Sequence, residues 1–235
     1  MKAYEKVVAA TFVRRPNRFI AVVMLDGVET VVHVKNTGRC KELLVEGATV
    51  YLSVAPPESK RKTACDLIAV EKVLPNGQRL LINMDAQLPN ALAEAWLRTR
   101  ILDKPHITIR REVTHGDSRF DLCLTNTETG KLTFVEVKGV TLERDGVASF
   151  PDAPTERGIK HLRGLADCVR EGHDAYVFFV IQMKGVHLFR PNDKTHKAFG
   201  DALREVTEQG VGVLCMDCLV TPDTVTIHEQ VPVEL

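Results

Sequence analysis

The sequence predicts a two-domain chain of the α+β or α/β kind. A closed β-barrel is expected over residues 1–82, followed by a mixed sheet flanked by helices over residues 83–235. Three observations lead there. Six short strand patterns without a convincing helix fill the first 82 residues, helical periodicity begins only after Leu88-Pro89-Asn90, and the charge changes sign between the parts. The first 82 residues carry 13 basic and 8 acidic side chains against 18 and 23 in the remainder, although the whole chain balances at 31 and 31. A basic front and an acidic rear suit a nucleic-acid-binding module joined to one that bears carboxylates.

The strand patterns are Val7 to Val13, Phe19 to Leu25, Glu29 to Val34, Ala48 to Val54, Asp66 to Val73 and Arg79 to Met84. Turn signals separate most of them, among them Arg15-Pro16-Asn17, Asp26-Gly27, Pro56-Pro57 and Pro75-Asn76-Gly77. So many short strands in so little chain point to a small OB-like barrel, which removes open sheet edges. Beyond it, Asn90 is placed to cap a helix from Ala91 to Arg100. A second helix is expected from Thr155 to Arg170, with Ile159, Leu162, Leu165, Ala166 and Val169 on one face and Gly172 at its end. The apolar run Ala175 to Ile181 reads as a central strand covered on both faces, and strand, helix and strand make a right-handed parallel unit. A last helix, Lys197 to Gln209, precedes a strand from Val211 to Met216.

With 235 residues and 44% apolar side chains the chain can bury ordinary cores. No stretch approaches the roughly 20 apolar residues of a membrane helix, and Met1 to Thr11 lacks a leader's apolar run, so a cytoplasmic protein without a membrane partner is expected. The six cysteines are expected to be reduced. Cys215-Met-Asp-Cys218 has CxxC spacing but no second pair to complete a zinc site. Homodimerisation is left open.

The chemistry-bearing segment runs from Ser118 to Lys138. With Thr127 to Gly130 as a turn, facing residues of the hairpin have numbers summing to 257, so Asp121 stands opposite Glu136. Lys138 shares the face of Glu136, and that face continues as Cys123, Phe134 and Leu132. Opposed carboxylates repel, and a hard divalent cation, Mg²⁺ or Mn²⁺, is the natural compensation. Such a site suits phosphodiester hydrolysis, with Lys138 placed to position a water or offset developing charge. Taken alone, the spacing more often describes a solvated strand end neutralised by Lys138.

The order of helix, strand, Asp-bearing strand, Glu-x-Lys strand, helix and strand resembles the core of the PD-(D/E)XK nuclease superfamily. Asp121 and Glu136-Val137-Lys138 fall at its motif positions, although Phe120 replaces the proline of the Pro-Asp pair. The resemblance implies that a first-helix glutamate, here Glu94, joins the site. Longer motifs are similar to those of the sugar fermentation stimulation protein A family. They are Phe12-Val-Arg-Arg-Pro-Asn-Arg-Phe19, His33-Val-Lys-Asn-Thr-Gly-Arg39, Ser118-Arg-Phe-Asp121, Val135 to Leu142, and Phe150 to Gly158 with Lys160-His-Leu162. That resemblance implies an OB-like domain, a nuclease-like domain, DNA binding and a regulatory role in sugar (maltose) metabolism. Two readings follow: a DNA-binding protein with a metal-dependent hydrolytic site, or a regulator that keeps the nuclease-like fold only as a scaffold.

Duplex DNA is the expected partner. Arg14, Arg15 and Arg18 flank a Pro-Asn turn, and Lys35 and Arg39 bracket the Asn36-Thr37-Gly38 turn, so both loops can present cations to phosphate. Arg119, Arg157 and Lys160 extend the basic set toward the acids. No recognition helix stands out, which predicts weakly specific, salt-sensitive binding. Phe19 is expected in the core, and His161 at the surface or behind the acids.

Overall fold

The computed structural model describes residues 2–36 and 38–235; Met1 and Thr37, the latter in the expected Asn36-Thr37-Gly38 turn, lie outside the described residues. Six strands form the N-terminal sheet: β1 (Val7–Asn17), β2 (Ile20–Leu25), β3 (Val28–Val34), β4 (Thr49–Val54), β5 (Cys65–Val73) and β6 (Arg79–Asn83). Their order is β3-β2-β1-β4-β5-β6. Parallel pairing of β3 with β5, through His33 with Asp66 and Val34 with Leu67, closes the first five into a barrel. The β2–β3 hairpin turns at Asp26 and Gly27, with φ of 51° and 79°. Two successive left-handed residues give a turn whose twist matches the strands, which is why Asp-Gly signals a hairpin. Val23, Val32, Val50, Leu52, Leu67 and Ile68 are fully buried.

The expected boundary at residue 82 falls inside β6. The first compact unit runs from Met1 to Leu88 and takes in Gln182–Gly185 and Cys218–Thr226; the second comprises Pro89–Ile181, Val186–Asp217 and Ile227–Leu235. Within the first unit, Gln182 donates to Asn83 Oδ1 (2.9 Å) and to the Asp85 carbonyl (3.1 Å). This returning segment thus carries a buried, satisfied amide.

The second unit is built on α1 (Leu88–Thr99), β7 (Ile107–His115), β8 (Ser118–Asn126), β9 (Leu132–Val140), β10 (Leu142–Arg144), β11 (Val147–Phe150), α2 (Glu156–Arg170), β12 (Asp174–Ile181), β13 (Leu188–Pro191), α3 (Asp193–Glu208), β14 (Gly212–Val220) and β15 (Val225–Gln230). The large sheet has the order β15-β14-β12-β9-β8-β7, and β10, β11 and β13 make a small second sheet. Strand β12 is parallel to both β9 and β14, while β7–β8 and β8–β9 are antiparallel, so the sheet is mixed as expected. Val177 to Ile181 are all fully buried, as a two-sided central strand requires.

Helix α2 matches its sequence signals. The Thr155 side chain accepts from the Gly158 N–H, and Ile159, Leu162, Leu165 and Ala166 are buried. Gly164 sits tightly against β8: a Cβ there would come within 2.5 Å of Ser118 Oγ. Helix α3 begins at Asp193 rather than Lys197, but His196 is non-helical (φ −154°, ψ 84°), so the regular helix starts near the expected residue.

The start of α1 differs in a way that matters for the site. Asn90 does not cap it. The chain turns earlier, with the Gln87 N–H donating to Asp85 Oδ1 (3.0 Å) and the Leu88 N–H to the Asp85 carbonyl (3.3 Å). Pro89 is tolerated because first-turn N–H groups have no helical partner. Asn90 is therefore inside the helix, with its side chain available to another strand.

Candidate metal centre

The hairpin register decides whether the acids can meet. In β8–β9, Leu122 pairs with Val135, Cys123 with Phe134, Leu124 with Thr133 and Thr125 with Leu132. Every pair obeys the expected sum, and the Asn126 N–H closes the turn on the Lys131 carbonyl at 2.9 Å. Asp121 lies one step past the last pair. There the ladder gives way to a side-chain bond, in which Asp121 Oδ2 accepts from the Val137 N–H at 2.7 Å. On the other side Glu112 of β7, opposite Asp121 in register, has φ of 55° and is skipped by the β7–β8 pairing. A left-handed non-glycine residue costs of order 1–3 kcal/mol, and such strain collects at functional sites.

The two acids differ in environment. Asp121 Oδ1 accepts from Asn90 Nδ2 at 2.7 Å. Burial, and then the negative charge of Glu136, push the Asp121 carboxyl above its ordinary range against the pull of Val137, Lys138 and Asn90. Glu136 is 2% exposed. Burial pushes its carboxyl up, but the hydrogen bond from His161 and the charge of Lys138 outweigh that and hold it below the usual range. Both His161 Nδ1 and Lys138 Nζ bind the same oxygen, Glu136 Oε1. Arg157 Nε donates to His161 Nε2 at 3.4 Å. With Nε2 accepting, the imidazole proton sits on Nδ1 and points at Glu136.

The other oxygen, Glu136 Oε2, is buried and has no hydrogen-bond partner. An orphaned buried acceptor costs about 1–3 kcal/mol, and more for a charged group. That oxygen, together with the elevated Asp121 nearby, fits a hard divalent cation held by two carboxylates. Lys138 is the adjacent cation, its side chain 16% exposed.

Of the residues expected here, Asp121, Glu136 and Lys138 come together. Glu94 does not join them through any bond among the described residues. It pairs with Arg98 (2.6 Å) and Arg111 (3.7 Å), one helical turn beyond Asn90, and Asn90 is the α1 residue that reaches Asp121. His161 takes the second of its two expected places, buried behind the acids. A histidine at the start of a helix that follows a Glu-x-Lys strand was the available signal, but only packing shows which face it turns inward.

The basic residues divide. Arg15 spends its guanidinium on the carbonyls of Gly38 (2.9 Å), Arg39 (2.9 Å), Arg18 (2.7 Å) and Asn36 (2.6 Å), so it ties the two loops together. Lys35 is held by the buried Asp85 at 2.7 Å. These two are committed to the fold. Arg14 pairs with Glu29 (3.2 Å) and Arg119 with Glu112 (3.0 Å) at the surface, where such pairs contribute about 0–1 kcal/mol. Arg18, Arg39, Arg157 and Lys160 are exposed. Phe19 departs from expectation: it is 45% exposed, with the Arg18 guanidinium 4.8 Å above its ring. The strand β2 begins only after it, so its ring escapes the barrel interior.

All six cysteines are buried and none forms a disulfide. Burial raises the Cys215 thiol and pushes Cys168 up to about 12, which suits inert core thiols rather than a redox pair. Among the described residues no helix is long and apolar enough to cross a membrane.

Fold and site define a two-domain protein, an OB barrel followed by a mixed sheet flanked by helices that carries an acidic pair. Comparison gives the family. Residues 13–80 match the profile described as the SfsA N-terminal OB domain, and residues 87–224 that of the sugar fermentation stimulation protein RE domain. The chain belongs to the sugar fermentation stimulation protein family. It is 50% identical over 232 residues to a sugar fermentation stimulation protein homolog of Clostridium beijerinckii, covering 99% of each chain. It is 52% identical over 233 residues to a homolog of Desulfitobacterium hafniense, covering 99% of this chain and 98% of the relative. Among solved structures, SfsA of Pyrococcus furiosus in complex with Ca²⁺ matches with a TM-score of 0.84 and 25% identity over 100% of both chains.

Proposed function

We propose that this protein binds DNA and hydrolyses phosphodiesters at a divalent cation held by Asp121 and Glu136. The observation that carries the proposal is the partnerless, buried Oε2 of Glu136 beside the Asp121 carboxyl, which burial and then the charge of Glu136 push above its ordinary range. The Ca²⁺ bound by the Pyrococcus relative supports a divalent ion, and Mg²⁺ or Mn²⁺ is the ion proposed for turnover. When bound, such an ion supplies a Lewis acid and a more acidic water.

The chain's own residues do the rest. Asn90 and the Val137 N–H fix both oxygens of Asp121. His161 and Lys138 hold Glu136 by Oε1, which leaves Oε2 to face the ion. Lys138 also places a positive charge where negative charge develops on a phosphoryl oxygen. The test is incubation of the pure protein with duplex DNA, single-stranded DNA and RNA in Mg²⁺, Mn²⁺ or EDTA. Cleavage of DNA in either metal and none in EDTA is expected; binding without cleavage in every condition would leave the scaffold reading, a DNA-binding regulator of sugar metabolism.

On the barrel, the exposed Arg18, Phe19 and Arg39 are the proposed contacts, two cations for phosphate and one ring for a base. Replacing all three by Ala should weaken DNA binding and flatten its log–log salt dependence by about 2, since each lost phosphate contact contributes about 0.9. An unchanged slope in filter-binding or anisotropy titrations removes the barrel from the interface.

A further inference from the structure

A second cluster of ligating side chains lies on the same domain, well away from the acidic pair. His115 ends β7, Glu171 is the C-cap of α2, and His173 leads into β12. Each offers one ligand atom, and these lie within 4.8 Å of one another. His161 and Glu171 are ten residues apart along α2, about 15 Å of helix rise, so the two sites cannot share an ion.

Three features make this more than a chance grouping. Gly172, between Glu171 and His173, has φ of 91°, a left-handed bend that brings the side chains on either side of it to one place. Both imidazoles pack on Phe134, at 4.6 Å for His115 and 5.8 Å for His173, which fixes the rings before any ligand arrives. And His173 Nδ1 is buried with no hydrogen-bond partner, a state that native structures rarely leave unresolved. His115 Nε2 and Glu171 Oε2 already converge at 2.6 Å.

We propose that His115, Glu171 and His173 bind a borderline divalent transition ion of the Zn²⁺ class. Two imidazoles and one carboxylate select such an ion over Mg²⁺ or Ca²⁺, which take oxygen shells. A ligand distance of about 2.0–2.2 Å asks the side chains to draw together slightly. Three protein ligands leave a coordination position open. His115 and Glu171 line a groove of about 680 Å³ shared with Ser118, Lys160 and Arg163, so a water or a small anion can reach that position.

The test uses the full chain, reduced, with excess Mg²⁺ present to occupy the acidic pair. Isothermal titration with Zn²⁺ should show binding that depends on both histidines, and Co²⁺ should give a visible d–d spectrum without a thiolate charge-transfer band. His115→Gln and His173→Gln should each weaken Zn²⁺ binding at least about tenfold, the scale on which even supporting residues act. Asp121→Asn should leave it unchanged. Glu171→Gln, at an exposed helix end, gives the same reading should either histidine variant fail to fold. Wild-type protein that takes up no Zn²⁺, variants that bind as tightly as wild type, or a thiolate band in the Co²⁺ spectrum would each overturn the assignment.

Discussion

Asp121→Ala is expected to lower metal-dependent DNA cleavage by at least about a thousandfold, roughly 4 kcal/mol of transition-state stabilisation, while leaving DNA affinity intact. The chain should still fold. The substitution strands the Val137 N–H and the Asn90 amide, at about 1–3 kcal/mol, but it also removes a buried charge that faces Glu136. These terms have opposite sign. Calorimetry with Mg²⁺ or Ca²⁺ should show the acidic site lost in parallel with cleavage. A variant that cleaves like wild type would place the chemistry elsewhere.

The pH dependence follows from the same pair. Asp121 must be ionised to hold a cation, and its pKa is raised, so cation affinity is full only above that raised value and falls as pH drops through it. Glu136 has the opposite shift. Its contribution to folding is present above its unfolded pKa and is lost only as pH falls through the depressed folded value. Cation binding should therefore fail at a pH where the fold persists, which titration and circular dichroism on one sample can separate.

Asp85→Ala is expected to destabilise the barrel by about 3–5 kcal/mol, the scale of stranding one partner of a buried ion pair. Asp85 is 2% exposed and accepts from Lys35 Nζ (2.7 Å), the Tyr4 hydroxyl (3.2 Å) and the Gln87 N–H (3.0 Å). Burial and the Asp85 charge push the Tyr4 phenol far up, so it stays a neutral donor. Loss of Asp85 leaves a part-buried ammonium and a buried hydroxyl without that acceptor. The melting temperature should fall by roughly 10 °C, and urea unfolding should show a lower midpoint at an unchanged slope. Lys35→Ala should likewise lower stability yet leave the salt slope of DNA binding alone. A changed slope with an unchanged melting temperature would return Lys35 to the phosphate contacts.

Much of this architecture could be read from local pattern. The barrel strands, the Asp26-Gly27 hairpin, the apolar face of α2 and the β8–β9 register all rest on period, turn chemistry and chain arithmetic, which act over a few residues. The readings that changed concern where a side chain goes once its backbone is placed. Asn90 has a cap's chemistry, but Asp85 makes the turn first. Arg15 and Lys35 look like phosphate contacts until the carbonyls of one loop and the carboxylate of Asp85 are seen around them. Phe19 looks like core until β2 is found to start one residue later.

By itself, then, the sequence determined the fold class, an OB barrel and a mixed sheet with helices, and the hairpin register that sets Asp121 opposite Glu136. Only the tertiary structure decided that His161 grips one oxygen of Glu136 and leaves the other bare, that Asn90 rather than Glu94 supports Asp121, and that two histidines and a glutamate converge beside Phe134. The reason is one of range. Periodicity and turns are set by neighbours along the chain, whereas a polar side chain's partner is set by whichever distant element is packed against it.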